Sequence, residues 1–363
     1  MPYNRSQHHD PSGDDKKFGK AVLNGLHRKD FKRTLRQDLQ DLYYFYLDED
    51  RRARLAAMNR FKRGIFRLTW LLKSLILKLT PVRRILLLAC LILFFYGDFY
   101  SLNIVTFLIL LLILMLELKD KLLALDELKI GRAVQLALLP DRNPILPGWE
   151  IWLFTRPAND VGGDLVDYLH IGEDRLGVAL GDVAGKGLGA ALLMAKLQAT
   201  LRALAPDSES LPELGARMNG ILCRDGLPSR FATLVYLELE PHSGLLHILN
   251  AGHMPPIALR GATLEKLPSV APLLGILPEA TYTEQNIDLQ PGDLLLVYSD
   301  GLTEACNNKG DFFGDERLLG LLPQLQGLSA QAAGDRLLAE LESFVGDERR
   351  SDDLSLVLLK RLD

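Results

Sequence analysis

The stretch Asp160–Gly187, DVGGDLVDYLHIGEDRLGVALGDVAGKG, decides the fold. Two apolar-rich runs, Leu165–Ile171 and Leu176–Leu180, bracket the turn-like Gly172–Arg175 (GEDR), and this predicts an antiparallel hairpin. Positions 164 and 182 share the midpoint 173, inside that turn, so Asp164 at the start of one strand lies opposite Asp182 at the end of the other. Two carboxylates then meet at one open end of a sheet. Taken alone, the Gly-Asp pairs read equally well as polar turns, where such pairs are common.

Two further acids repeat the arrangement. Asp300 closes the apolar run LLLVYSDG, and Asp352 with Asp353 opens DDLSLVLL, the last predicted strand. Another hairpin is expected from ATLVYLELE and GLLHILNAGH around Pro241–Gly244, with helices over Leu188–Leu204, Leu211–Cys223, Glu316–Leu325 and Ala330–Phe344. Strands and helices come in groups instead of alternating, which favours an α+β layered domain over a doubly wound parallel sheet. If the acid-bearing strands are antiparallel neighbours, Asp164, Asp182, Asp300 and Asp352 reach one end of the layers. Uncompensated carboxylates at contact distance repel and raise their own pKa values, so such a cluster makes physical sense with divalent cations. All-oxygen ligation selects Mg²⁺ or Mn²⁺ over zinc, and a pair of such ions can activate water against a phosphoryl group without a protein nucleophile.

The ordered set DVGGDLVDY, GDVAGKGLGAALLMA, NAGHMPP, LLLVYSDGLTEACN with FFGDERL, and DDLSLVLL resembles the bacterial SpoIIE-type branch of the metal-dependent PPM serine/threonine phosphatases, relatives of protein phosphatase 2C. The resemblance runs from about Leu128 to the C-terminus. It implies an αββα sandwich and two Mn²⁺ or Mg²⁺ ions, with Asp182 bridging both and the Val183 carbonyl binding one. Asp300 and Asp352 would hold the other ion, and Asp164 would bind it directly or through water. These acids are accordingly the implied catalytic set. The departures are mild: Asp160 stands where the family often has Glu, Leu165 where it has an aromatic residue, and Ser299 and Ser355 where it has Thr.

Other chemistries fit less well. GDVAGKG has three residues between Gly181 and Gly185 where a phosphate-binding P-loop has four, and Gly187 where it needs Ser or Thr. A cysteine phosphatase needs an arginine six residues after its nucleophile, where Cys223 and Cys306 have Ser229 and Phe312, and no G-x-S-x-G stretch supports a serine hydrolase. Lys186 reads either as an attractor for the substrate phosphate or as a solvated lysine at a helix start. His253 in NAGHMPP reads as an acid or loop-orienting residue near the substrate, or as a turn histidine held by Gly252 and Pro255. Asp353 touches a further metal or caps the strand end. Asp167 and Glu304 are expected to be structural or solvent-facing.

The chain has 363 residues, 48% hydrophobic and 24% charged, with a formal net charge of -4. That balance leaves no nucleic-acid footprint. Three scattered cysteines, Cys90, Cys223 and Cys306, indicate neither a disulfide framework nor a zinc site. No cleaved signal peptide is expected, because the first residues are polar and charged. From Ile85 to Leu116, however, the only formal charge is Asp98. A membrane hairpin is expected over 83–117, with short helices at about 85–97 and 101–117 turning at Tyr96–Ser101 and with interface aromatics there. Arg83, Arg84, Lys119 and Lys121 flank it, which places both ends in the cytoplasm. Residues 1–82 form a basic, partly amphipathic helical region suited to anionic lipid. Residues 118–140 read as a linker helix ending at Pro140, with a stripe suited to homodimerisation, and residues 141–363 as the phosphatase domain. The expected protein is a phosphatase at the inner (cytoplasmic) membrane, acting on phosphoserine or phosphothreonine of a cytosolic regulatory protein such as an anti-sigma-factor antagonist. A non-catalytic membrane scaffold and a hydrolase of small phosphate esters are the alternatives.

Overall fold

The computed structural model describes residues 54–55, 58–96, 100–172, 174–225, 230–261, 263–268, 271–348 and 350–362. Most of the basic N-terminal stretch and the turn residues 97–99 lie outside these. The chain divides into two compact units, Met1–Asp120 and Lys121–Asp363.

The first unit contains α1 (Arg60–Lys78), α2 (Pro81–Tyr96) and the first half of α3 (Tyr100–Leu138). Pro81 opens α2, where its missing N–H would have had no intrahelical partner. Arg84 reaches back to the carbonyls of Leu77 and Leu79 and so satisfies the C-terminal end of α1. At the base of the α2–α3 pair, Arg83 donates to Glu117 at 2.6 Å and to Asp120 at 2.5 Å. Leu88, Ile92, Phe107, Leu108, Leu114 and Met115 stay exposed along these helices.

Two boundaries differ from those the sequence suggests. The first arm begins at Pro81 instead of near residue 85, and residues 101–117 and 118–140 belong to a single helix ending at Leu138. No Gly or Pro falls between Ile104 and Ile130, so nothing breaks the helix where a separate linker was expected to start. Gly131 is accommodated because a Cβ there would stand 3.1 Å from Leu188 Cδ1. Among the described residues, the helix that is long and apolar enough to cross a membrane is Leu188–Asp207. Its inner face buries Ala190, Met194, Leu197 and Leu201 completely, which marks it as a core helix.

The second unit is an αββα sandwich. One sheet has the order β1-β10-β9-β6-β7 and the other β2-β3-β4-β5-β8, with every pairing antiparallel. The first comprises β1 (Trp149–Arg156), β6 (Ile257–Arg260), β7 (Thr263–Lys266), β9 (Leu294–Tyr298) and β10 (Leu354–Arg361); the second comprises β2 (Leu165–Ile171), β3 (Arg175–Val183), β4 (Ala232–Leu239), β5 (Leu245–Ala251) and β8 (Glu284–Asp288). Helices α4 (Leu188–Leu204) and α5 (Leu211–Asp225) cover the second sheet; α6 (Asp300–Thr303), α7 (Gly314–Leu321) and α8 (Ala330–Val345) lie with the first. Alternation within each strand divides the core. In β4, Leu234 and Tyr236 face α4 and α5 while Val235 and Leu237 face the other sheet. In β9, Leu294, Leu296 and Tyr298 face the helices while Leu295 and Val297 face inward. A sheet buried on both faces reads as a continuous apolar run, which is why LLLVY carries no polar residue.

Close packing also sets a testable limit at α8. A Cβ on Gly334 would lie 2.3 Å from the Trp152 ring, whereas one on Gly320 in α7 meets nothing within 4 Å. Gly334→Ala should therefore destabilise the protein by about 1–3 kcal/mol through overpacking, and Gly320→Ala should stabilise it by about 0.5–1 kcal/mol through helix propensity. Urea unfolding midpoints of the two variants should move in opposite directions; parallel shifts would contradict the packing at Trp152.

Candidate metal centre

Strand register delivers the acids. Leu165 pairs with Gly181, so Asp164 and Asp182 stand opposite each other just beyond the β2–β3 ladder, and Asp182 is itself paired with Thr233 of β4. In the other sheet, the Ser299 N–H donates to the Ser355 carbonyl at 3.0 Å and the Ser355 N–H to Ser299 Oγ at 2.9 Å. That pair sets Asp300, the first residue of α6, beside Asp352 and Asp353 at the start of β10. The acids therefore come as two pairs from two sheets, and not from neighbouring strands of one sheet.

Glycines beside the acids make the approach possible. A Cβ on Gly163 would stand 2.9 Å from the Val183 carbonyl, one on Gly181 2.7 Å from the Thr233 carbonyl, and one on Gly301 1.8 Å from the Asp353 carbonyl. The regular Gly-Asp spacing is thus a packing requirement of the acid centre.

Its electrostatics are those of crowded carboxylates. Asp164 is 5% exposed, and burial followed by the Asp182 charge holds its carboxyl well above the usual range, against the partial relief of the Ser355 and Ser299 hydroxyls. Asp182 is raised by burial and then by Asp352 and Asp353. Asp300 is pushed up to about 6 by burial, then by Asp182, Asp352 and Glu304, with the Gly301 N–H pulling the other way. Asp164 Oδ2 is buried without a hydrogen-bond partner. Among the described residues, no three Asp, Glu, His or Cys side chains close into a finished chelate. An orphaned carboxylate oxygen beside acids of raised pKa nevertheless fits a hard divalent cation with oxygen ligands.

The remaining candidates occupy distinct places. Lys186 Nζ donates to the Ser351 carbonyl at 2.7 Å and lies 3.1 Å from Asp352 Oδ2, so it neutralises a member of the acid set. Asp353 accepts from the Ala158 N–H at 2.8 Å and the Gly163 N–H at 2.6 Å; both of its oxygens clamp the loop ahead of Asp164. Val183 closes β3 with its carbonyl against Gly163. His253 is 5% exposed and its ring lies inward, with Nδ1 2.6 Å from Thr233 Oγ1 and Nε2 3.1 Å from the Tyr298 carbonyl. Burial pushes its pKa down to about 4. Asp167, fully buried, is held by Arg202 through two bonds of 2.7 Å.

Residues 172–362, more than half of the chain, match the family described as Stage II sporulation protein E. The chain belongs to the SpoIIE family. It is 28% identical over 263 residues to Protein IcfG of Synechocystis, an alignment covering 65% of the chain but 41% of IcfG. It is 27% identical over 250 residues to phosphoserine phosphatase RsbU of Bacillus subtilis, covering 65% of the chain and 70% of RsbU. In three dimensions it superposes on the SiaA-PP2C domain of Pseudomonas aeruginosa with a TM-score of 0.57 at 21% identity, over 67% of the chain and 99% of that domain. The sandwich is thus a PP2C-type fold of the SpoIIE family.

Two residues that hold the loops of this centre went unmarked in the sequence. Arg230 donates to the Ala184 carbonyl at 2.7 Å, and its guanidinium fills the space that a Cβ on Gly185 would take. The signal was its place just before β4: extending the β3–β4 register puts Arg230 opposite Gly185. Gln135, in the last turn of α3, exchanges two bonds with Gly162, 2.8 Å from its Nε2 to the carbonyl and 3.1 Å from the Gly162 N–H to its Oε1.

The raised acids set a pH dependence. An acid whose folded-state pKa lies above its unfolded value favours folding at low pH, and that contribution is lost as pH rises through the folded pKa. For Asp300 the window runs from the ordinary 3.8 to about 6. Asp300→Asn should therefore raise the Tm of chelator-treated protein at pH 7.5, with the gain vanishing near pH 4. A parent-to-variant difference that is flat across this range would show that Asp300 ionises in the fold without penalty.

Proposed function

We propose that this protein is a metal-dependent phosphatase acting on phosphoserine or phosphothreonine of a partner protein. The observation that carries the reading is the convergence of Asp164, Asp182, Asp300 and Asp352 from two sheets, with Asp164 Oδ2 buried and unpartnered. Asp164, Asp182, the Val183 carbonyl, Asp300 and Asp352 would hold two Mn²⁺ or Mg²⁺ ions. When bound, such ions supply Lewis acidity at a phosphoryl group and make water a nucleophile near neutral pH. The chain's own part is to bind and orient. Lys186 on the loop after β3, and Arg230 packed against that loop from just before β4, bring two cations there that would attract phosphate oxygens. Asp353 fixes the loop that carries Asp164. Likeness to RsbU, a phosphoserine phosphatase, supports a phosphorylated protein as substrate, and the family resemblance favours an anti-sigma-factor antagonist.

Hydrolysis of p-nitrophenyl phosphate and of a phosphoserine peptide should require added Mn²⁺ or Mg²⁺. Asp182→Asn should bring turnover to background, while Cys223→Ser and Cys306→Ser keep most of it, because neither thiol lies among the acids. Undiminished activity after exhaustive chelation, or a folded but inactive Cys223→Ser protein, would overturn this mechanism.

The exposed apolar side chains of α2 and α3, flanked by Arg83, Arg84, Lys119 and Lys121, support anchoring in the cytoplasmic membrane with the phosphatase domain in the cytoplasm. Further along α3, Leu122, Leu125, Ile130 and Val134 are also exposed, which supports homodimerisation through this part of the helix. Replacing Leu122 and Leu125 together by Lys should dissociate the detergent-extracted protein and change its turnover. If the double variant keeps the parent's oligomeric state and kinetics, α3 is a passive tether.

A further inference from the structure

Among the polar groups around the acid centre, the His253 ring stands apart because it spans the two sheets. It sits in the turn after β5, where the His253 N–H donates to Asn250 Oδ1 at 2.9 Å. One ring nitrogen faces Thr233, which β4 pairs in register with Asp182; the other faces the Tyr298 carbonyl, two residues before Asp300. A carbonyl can only accept, so Nε2 carries the ring proton and Nδ1 presents its lone pair. The Thr233 hydroxyl must then donate to Nδ1 at 2.6 Å, and its contact with the Asp182 carbonyl, at 3.4 Å, receives no proton. The opposite tautomer would set the Nε2 lone pair against the Tyr298 carbonyl lone pairs, which is repulsive.

We infer that His253 is a positioning residue whose ring, bonded at both nitrogens, sets the separation between the Asp182 half and the Asp300 half of the metal centre. This inference rests on the phosphatase reading above. The rigid imidazole fixes the distance between its two nitrogens, so Thr233 and Tyr298, and the acids that follow from them, cannot drift independently. Asp353 performs the matching task on the other side, joining β10 to the loop before Asp164. Burial keeps the ring uncharged at neutral pH, so it adds no positive charge beside cations held by the acids.

The test uses the full-length chain: the parent, His253→Gln, Thr233→Val and the double variant. Mn²⁺ binding is read from the EPR signal of free Mn²⁺, Tm is measured after chelation, and kcat and KM are measured for p-nitrophenyl phosphate across Mn²⁺ concentrations. Each single variant should weaken Mn²⁺ binding by roughly 10- to 100-fold, the range for outer-shell groups that orient metal ligands. Excess Mn²⁺ should restore kcat while KM stays near the parent's, and the double variant should be little worse than either single one, as expected for two ends of one bridge. Thr233→Val keeps the side-chain volume, so it carries the test if His253→Gln fails to fold. A fall in Tm with unchanged Mn²⁺ affinity, or additive losses in the double variant, would overturn the inference and leave His253 a core residue. A parent that binds no Mn²⁺ and hydrolyses nothing would overturn the phosphatase reading first, and this inference with it; that outcome is read on the parent alone.

Discussion

Like-charge repulsion in a buried place is the constraint from which the rest of the catalytic unit follows. Asp164, Asp182 and Asp300 are all held above the ordinary carboxylate range, with burial as the leading cause and a neighbouring carboxylate next: Asp182 for Asp164 and Asp300, and Asp352 for Asp182. A fold that gathers such groups must offset the repulsion locally, because partial burial weakens screening by water there. Ser299 and Ser355 offer hydroxyls, Lys186 stands on Asp352, and Asp353 spends both oxygens on backbone N–H groups. Asp353 thereby becomes an anchor, while Asp164 Oδ2 is left with nothing to accept from. The asymmetry separates the acid that builds the site from those available to a cation.

Hydrophobic packing alone cannot place these groups. The interface between the two sheets is made of side chains such as Val235, Leu237, Leu295 and Val357, whose attraction is non-directional and tolerates small slides. The acids lie at the rim, where a slide of an ångström would change which oxygens meet. Directional bonds across the gap fix what the core leaves loose: Asp353 to the Gly163 N–H on one side and His253 between Thr233 and Tyr298 on the other. The glycines at 163, 181 and 301 belong to the same solution, since any side chain there would push a carbonyl out of place.

Local pattern made much of this legible in the sequence. The β2–β3 hairpin and its Asp164–Asp182 pairing follow from the midpoint of the turn, and the pairing of β4 with β5 follows in the same way. Helix α4 matches its expected span, Leu188–Leu204, because its apolar face is continuous. Long-range placement was harder to read. Nothing in LLLVYSDG or DDLSLVLL says that β9 and β10 lie in a different sheet from β2 and β3. Strands β6 and β7 have 4 residues each and β8 has 5, and the latter two are largely polar, so they lack an apolar alternation to read. Arg230 and Gln135 act on loops far away in sequence through backbone carbonyls, a kind of contact that leaves no mark on composition. His253 was visible as a turn residue, but the inward direction of its ring depends on Thr233 and Tyr298, which only the assembled sheets bring to it.

One loop, residues 158–163, links the acid centre to the helix that enters the domain. It is held on one side by Asp353 and on the other by Gln135, 5% exposed in the last turn of α3. The Gly162 peptide receives Gln135, the next N–H belongs to the Asp353 clamp, and the residue after that is Asp164. The end of α3 is also bonded through Gln198 Nε2 to the Leu138 carbonyl at 2.7 Å, so α4 shares the attachment. A displacement of the last turn of α3 therefore cannot be absorbed in slack chain. It must either break the paired Gln135 bonds or move Gly162, and moving Gly162 shifts the most buried acid of the set relative to Asp182. In the proposed linker role, these bonds give the last turn of α3 a short contiguous connection to Asp164.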